Sequence, residues 1–507
     1  MQHSFKLLIN TIASYLKIAV NALVTIFATR IALNALGADD FGLYNLVAGI
    51  IVLLSFVNGS LMISSQRFFS IAIGEKNEIK LHKYFNASLG IHILLGICVT
   101  VIFLVLTPLL FNGFLNIDSA QILNAKNVYY IMILSSLTTI ASIPYSAIMN
   151  AHEDMAVLSM IDILSCLLKF VAAYSLLFFS SHLLQWYAFF MMISLLVKMI
   201  LEIYWCRKRY NETLLEASML FNKSITKEML GFVGWNTLGS LAVLIRNQGV
   251  AVLLNVFFGT VVNAAYGIAN QVNSLVLSFA STLTSVFTPM IIQAKGAGDD
   301  VKMIKTAIFS SKLSFLLSSV IALPLLIFLD NILSLWLDEI PDNTFLFCQY
   351  IIYTFLVLQI YPGINRAIYA TGKIKYYQII TSLLLVLIIP IGIVLFKIGF
   401  PSYSIFIIML ILQVLVLFTT IYYANKYCYL NVKEFVFQSV VFPCVLFVML
   451  LKLGNHLVYL LDIEGFVVMS LGSIFYMMLY LILYIFIILE NEERKLIYSL
   501  INKIVNK

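Results

Sequence analysis

TRIALNALGADDFGLYNLVAGIIVLLSFVNGSLMISSQRFFSIAIG, residues 29–74, carries charge only at Arg30, Asp39, Asp40 and Arg67. From Phe41 to Gln66 no side chain is charged. About 20 apolar residues in helical form cross the roughly 30 Å of a bilayer's hydrocarbon, so this run is long enough to be a span. A Gly37 turn that holds the two acids precedes it. A continuously apolar segment of this length belongs to a helix, because in lipid every backbone polar group must be satisfied within the segment or in a closed barrel.

Outward from this stretch the pattern repeats. Apolar runs begin near Ile9, Leu43, Tyr84, Val128, Met155, Leu183, Met229, Val262, Ala307, Phe345, Tyr377, Tyr403, Phe435 and Gly465, which predicts about fourteen spans. The whole chain agrees: 62% of its 507 residues are hydrophobic and 11% are charged. Such a composition lies outside the range of soluble domains. The sequence therefore predicts an all-α polytopic membrane protein. The first span is too long for a signal-peptide core and lacks a small-residue cleavage site, so it reads as retained.

Loop charges orient the spans. With both termini in the cytoplasm, inside segments hold about 20 of the 31 Lys and Arg, and outside segments hold Arg30, Lys126, Lys397 and Lys452. Arg207, Lys208, Arg209, Lys223 and Lys227 after the sixth span contribute most, together with Arg494, Lys495, Lys503 and Lys507. The net charge of +7 thus needs no nucleic-acid partner. Six cysteines without CxxC pairing read as packing residues.

The first six spans are echoed by the next six. Gly37 and Tyr44 return as Gly259 and Tyr266, Ser55-Phe56 as Ser278-Phe279, and Pro144 with Ala147-Ile148 as Pro362 with Ala367-Ile368. An even number of spans per repeat gives both halves one orientation and a pseudo-twofold axis along the membrane normal. The predicted organisation is an N-lobe over 1–210, a cytoplasmic linker over 211–228, a C-lobe over 229–430, and two further helices with a tail over 431–507. Two similar bundles around a cleft suit alternating access.

Seven basic residues fall within spans or near their ends: Lys17, Arg67, Lys169, Lys198, Arg246, Lys312 and Arg366. Each costs about 2.5–3.5 kcal/mol at a helix centre, so a partner or a wet cavity is expected. Lys198 and Lys312 read as snorkelling toward the cytoplasmic surface, and Arg67 stands between the two readings. Asn10, Ser14, Lys17 and Asn21 form one helical stripe expected to line the cleft. In the fifth span Asp162, Ser165, Cys166 and Lys169 share a face, either as a functional group or as a structural ion pair. Asp162 reads as the one clear buried acid and as the candidate for ion coupling. Asn236, Ser240 and Asn247 with Arg246 mark the seventh span, and Asn263, Asn270, Ser274, Ser281 and Ser285 the eighth. Small hydroxyls also serve helix packing. Arg366 follows the Pro362-Gly363 break. An excess of cations favours an anionic ligand, with Arg and Lys for phosphate and Asn, Ser and Tyr for sugar hydroxyls.

Residues 29–74, IPYSAIMNAHEDM from Ile143, NQGVAVLLNVFFGTVVNAAYGIANQVN from Asn247 and ATGKIKYYQI from Ala370 resemble the polysaccharide repeat-unit (O-antigen type) flippases of the multidrug/oligosaccharidyl-lipid/polysaccharide exporter superfamily. The likeness covers roughly the first 425 residues. It implies a MATE-like pair of six-helix lobes plus two C-terminal helices in a bacterial inner membrane. It also implies transfer of an undecaprenyl-pyrophosphate-linked oligosaccharide from the cytoplasmic to the periplasmic leaflet, without a cofactor. The headgroup would meet a cationic cavity, for which Lys17, Asn21, Arg67, Lys169, Arg246, Asn270 and Arg366 are the candidates here. Where relatives often read AARGIA, this chain has AAYGIA over residues 264–269. Proton or sodium coupling is open, and a polymerase and glycosyltransferases are the implied pathway partners. The rival readings are a multidrug/cation antiporter of the same fold, which would prefer excess carboxylate, and a membrane glycan polymerase or glycosyltransferase. Asp39-Asp40 could mimic a catalytic pair for such an enzyme, but suits a helix start equally.

Overall fold

A computed structural model describes residues 2–52, 55–111, 117, 121–337, 340–461 and 466–495. These residues form helices and no strand. In chain order they are α1 (Gln2–Val52), α2 (Ser55–Gly74), α3 (Glu78–Leu109), α4 (Ile122–Ala151), α5 (Met155–Ser175), α6 (Leu183–Arg209) and α7 (Lys223–Gly296). There follow α8 (Asp300–Ile327), α9 (Leu329–Trp336), α10 (Thr344–Gln359), α11 (Pro362–Thr371), α12 (Lys375–Val386) and α13 (Ile388–Ile398). The last four are α14 (Ser404–Cys428), α15 (Val432–Phe435), α16 (Phe442–Leu461) and α17 (Phe466–Ile487).

Among the described residues, eleven helices are long and apolar enough to cross a membrane, and the bent pair α10 and α11 makes a twelfth. The prediction was about fourteen. The two expected spans outside this set, near Leu43 and Val262, fall on helical backbone after Gly37 and after Gly259. Gly465, the expected start of the last span, lies outside the described residues, and α17 begins at Phe466.

Both of those glycines break a long helix in the same way. Gly37 has φ 77° and ψ 169°, and Gly259 has φ 83° and ψ −172°. This corner of backbone space is essentially closed to residues with a Cβ, so glycine lets one helix turn directly into the next. Asp39 and Asp40 then stand in the first turn of the helix after Gly37, at its positive end. Ser55, Phe56, Ser278 and Phe279, also expected to match across the repeat, are described in backbone only. At the third matched position, Ala147 and Ile148 on α4 and Ala367 and Ile368 on α11 are all fully buried. Pro144 is absorbed inside α4, whereas Pro362 opens α11 after a 47° bend.

The chain divides into two compact units, one over Lys6–Thr237 and one from Leu238 onward. The boundary falls inside α7, so residues 211–228 belong to the first unit. There, α4 packs on α2, α3 and α6, and α5 packs on α6. Ala32, Val47, Phe103, Val128, Tyr129, Ala173 and Leu184 close its core. In the second unit α8 packs on α10, α11, α16 and α17, while α14 packs on α10 to α13.

Candidate functional site

The in-span charges of the first unit form a chain across three helices. Lys17 on α1 lies 3.2 Å from one oxygen of Asp162 on α5, and Lys198 on α6 lies 2.6 Å from the other. Lys198 is also 3.8 Å from Glu202, one turn further along α6. Glu202 has no exposed surface and accepts the Ser146 hydroxyl of α4 at 2.8 Å. Asp162 is therefore not the one buried acid. Glu202 is more deeply enclosed, and the basic run Arg207 to Arg209 made its helix turn read as a cytoplasmic end.

The α1 stripe divides in two. Asn10 and Ser14 are buried, with Asn10 donating to the Glu153 carbonyl at 2.6 Å and accepting from the Ala156 amide at 3.0 Å. Asn10 thus fastens α1 to the α4–α5 turn, while Ser14 donates to the Asn10 carbonyl at 2.7 Å within α1. Further along, Asn21 opens with Ala22, Thr25 and Thr29 onto a wide recess.

Lys169 differs from Lys17 and Lys198 in having no ion-pair partner among the described residues. It lines a cavity of about 270 Å³ together with Tyr44, Asn58, Ser135, Ser136, Thr139 and apolar neighbours, none of them a carboxylate. Arg67 is half-buried, its guanidinium 4.8 Å from the ring centres of both Phe68 and Phe232. Stacking on two rings stabilises the cation.

In the second unit the two arginines sit among aryl and amide groups. Arg246 donates to Gln413 at 3.4 Å and to Asn247 at 3.1 Å, and Gln413 donates to the Tyr361 hydroxyl at 2.5 Å. Arg366 lies over the Tyr369 ring at 5.7 Å, and Tyr369 accepts from Gln378 at 2.7 Å. Asn365, beside Arg366, donates to Tyr377 at 2.7 Å. Among the described residues neither arginine forms a salt bridge. Asn270 accepts the Ser274 hydroxyl at its backbone carbonyl, 2.8 Å away. Tyr266 donates to the Asn247 carbonyl at 3.3 Å. Ser281 is described in backbone only.

Lys198 and Lys312 do not snorkel. Lys312 is 1% exposed and bonded to Glu493 at 3.0 Å, because the chain after α17 returns a carboxylate to it. The structure thus separates the seven cations: Lys17, Lys198 and Lys312 are paired with carboxylates, Arg67 is stacked, and Lys169, Arg246 and Arg366 have no carboxylate partner among the described residues. Tyr361, Tyr369, Tyr377 and Gln413 were not legible as neighbours, since they come from α11, α12, α14 and the break before α11.

The description "polysaccharide biosynthesis protein" fits residues 7–295, more than half of the chain, and the MatE description fits residues 238–394. A comparison with curated sequences returns no match. Among solved structures, a MOP superfamily transporter from Pyrococcus furiosus, reported for the reverse polarity of its binding pocket, is similar with a TM-score of 0.72 at 13% identity, covering 85% of this chain and 96% of that one. A multidrug resistance MATE family transporter in an outward-facing conformation is similar with a TM-score of 0.72 at 12% identity, over 85% and 96% of the two chains. A mutant MATE structure gives 0.73 at 13% identity, over 85% and 97%. At such identities the likeness speaks for the fold, which is that of MOP superfamily membrane transporters. By the match over residues 7–295, the chain is a member of the polysaccharide biosynthesis protein family.

Proposed function

We propose that this protein is a flippase that moves an undecaprenyl-pyrophosphate-linked oligosaccharide repeat unit from the cytoplasmic to the periplasmic leaflet of a bacterial inner membrane. Its two lobes would alternate access to a cleft that takes the headgroup, while the lipid tail stays in the bilayer. Glycosyltransferases would supply the substrate and a polymerase would consume the product. The loop charges support a cytoplasmic side for both termini.

The supporting observation is the charge balance inside the spans. Asp162 draws both Lys17 and Lys198, with Glu202 3.8 Å from Lys198, whereas Lys169, Arg246 and Arg366 have hydroxyl, amide and aryl neighbours and, among the described residues, no carboxylate partner. Desolvated cations of this kind favour a phosphate, and the surrounding Asn, Gln, Ser and Tyr groups suit sugar hydroxyls.

Complementation of a strain lacking its own flippase tests this. Arg246→Lys keeps a cation and is expected to retain most surface glycan. Arg246→Glu is expected to abolish it with the protein still in the membrane, since one charged hydrogen bond is worth about 1.5–3 kcal/mol, roughly tenfold to a hundredfold in affinity. Equal export by the two variants would remove the electrostatic argument.

A further inference from the structure

Glu202 is the most enclosed acid of the first unit, and its two oxygens are treated unequally. Oε1 accepts from Ser146 at 2.8 Å and lies 3.8 Å from Lys198. Oε2 is buried with no hydrogen-bond partner among the described residues. Lys198 is engaged elsewhere, 2.6 Å from Asp162, although Asp162 already holds Lys17. One carboxylate therefore draws two ammonium groups while its sealed neighbour is left with a hydroxyl.

An ionised carboxylate would not be expected to accept that division. Leaving a charged oxygen desolvated and unpaired is far more costly than leaving a neutral one, and Lys198 is a side-chain rotation away from relieving it. A protonated Glu202 makes no such demand. The titratable groups that face it are few: Lys198 and Cys206 on its own helix and Asp162 on α5, with Ser146 the polar contact from α4. With the proton, Lys17, Lys198 and Asp162 leave a net charge of +1 in the group. Without it, the group is neutral.

We propose that Glu202 carries an exchangeable proton, and that its release draws Lys198 from Asp162 toward Glu202 and so loosens the tie between α5 and α6. In that step the Glu202 O–H bond breaks, the proton passes to water, the electron pair stays on the carboxylate, and Lys198 keeps its three protons. Asp162 remains bonded to Lys17 throughout. Lys169, on the same α5 face as Asp162, then feels a group that alternates between +1 and neutral. An anion beside Lys169 therefore holds the proton on Glu202 more tightly, by reciprocal linkage. The use of this proton in a transport cycle rests on the flippase reading, whereas the protonation itself does not.

The test is pH-titrated infrared difference spectroscopy on the full-length protein in lipid nanodiscs, between about pH 5 and 9, the range that buried carboxyls reach. The expected result is a protonated-carboxyl carbonyl band that disappears on alkalinisation and is missing in Glu202→Gln. That variant mimics the protonated side chain in shape and hydrogen bonding, so it should fold. In Asp162→Asn the band should disappear at lower pH, because Lys198 is freed and a nearby negative charge is gone. Absence of such a band in the native protein, or its survival in Glu202→Gln, overturns the proposal. For the transport half, glycan export by Glu202→Gln should no longer respond to collapse of the pH gradient. An unchanged response overturns the coupling while the spectroscopic result stands, and a native protein that exports no glycan speaks against the flippase reading instead.

Discussion

Lys312 lies within α8 with 1% of its side chain exposed, held by both oxygens of Glu493 at 3.0 and 3.1 Å and by Gln438 at 3.3 Å. The Tyr484 hydroxyl donates to its backbone carbonyl at 2.9 Å, so the end of α17 is fixed to α8 twice. Removing one member of a buried pair strands the other, at about 3–5 kcal/mol. Glu493→Ala is expected near the lower end, because Glu490 stands 3.9 Å away and supplies part of the missing charge. The double variant Lys312→Met with Glu493→Gln should recover most of that loss, since no charge remains buried. Thermal unfolding of the three proteins in one detergent checks this, and a double variant no more stable than Glu493→Ala would contradict it. The sequence exposes Lys312 as a cation in an apolar run, but its partner lies far along the chain, where periodicity carries no information. For the same reason the sequence puts Lys17 and Asp162 each on a polar face but carries no sign that they pair. Arg246 and Arg366 were legible as in-span cations. Their tyrosine and glutamine neighbours were not, because helix packing brings them together.

At the level of elements, the glycine turns were the most legible feature. Gly37 and Gly259 stand in matching sequence contexts, and both adopt a backbone conformation that glycine alone reaches easily. The segment after α6 was less legible, because its polar composition reads as a free linker. Instead it is docked on the first unit. His152 meets Glu212 at 2.5 Å and stacks on Tyr210, Tyr210 donates to Asp154, and Lys6 pairs with Asp154 at 2.8 Å. Asn86 clasps the segment from α3, donating to the Leu214 carbonyl at 3.1 Å and accepting from the Glu216 amide at 2.9 Å. Burial alone would raise the Asp154 and Glu212 carboxyls. Hydrogen bonds from Lys6 and Tyr210 to Asp154, and from His152 to Glu212, outweigh it and hold both below their ordinary values. A carboxyl depressed by folding stabilises the docked segment fully above its unfolded value of about 4, and that contribution fades as pH falls through the lower folded value. A nitroxide at the exposed Leu215 should therefore be immobile at neutral pH and gain mobility only in acid below about pH 4. Asp154→Asn combined with Glu212→Gln should mobilise it already at neutral pH. A label equally immobile in that double variant would show that the Asn86 contacts suffice.

For the whole molecule, composition settles the solvent: with 62% hydrophobic residues the chain must fold in lipid, where helices are the simplest way to satisfy its backbone. What composition leaves open is the sign of the ligand, since a similar fold occurs in a multidrug resistance transporter. The distribution of charge in the spans supports the anionic ligand proposed above, because a cationic drug approaching Lys169, Arg246 or Arg366 would meet repulsion in a medium of low dielectric, whereas a pyrophosphate would meet attraction. Binding to the folded state alone raises stability by mass action, by about 2.7 kcal/mol when free ligand stands at about 100 times Kd. Undecaprenyl pyrophosphate should thus raise the unfolding temperature of the purified protein, while undecaprenol, which has the same tail and no phosphate, should raise it much less. The lipophilic cation tetraphenylphosphonium should leave it unmoved. In Arg246→Glu with Arg366→Glu the response to undecaprenyl pyrophosphate should fall to that of undecaprenol, which should itself persist, because the substitutions remove the hold on phosphate and leave the shared tail as it was. Stabilisation by tetraphenylphosphonium in place of the pyrophosphate would assign the chain to cation export, because the unpaired basic groups would then have no anion to hold.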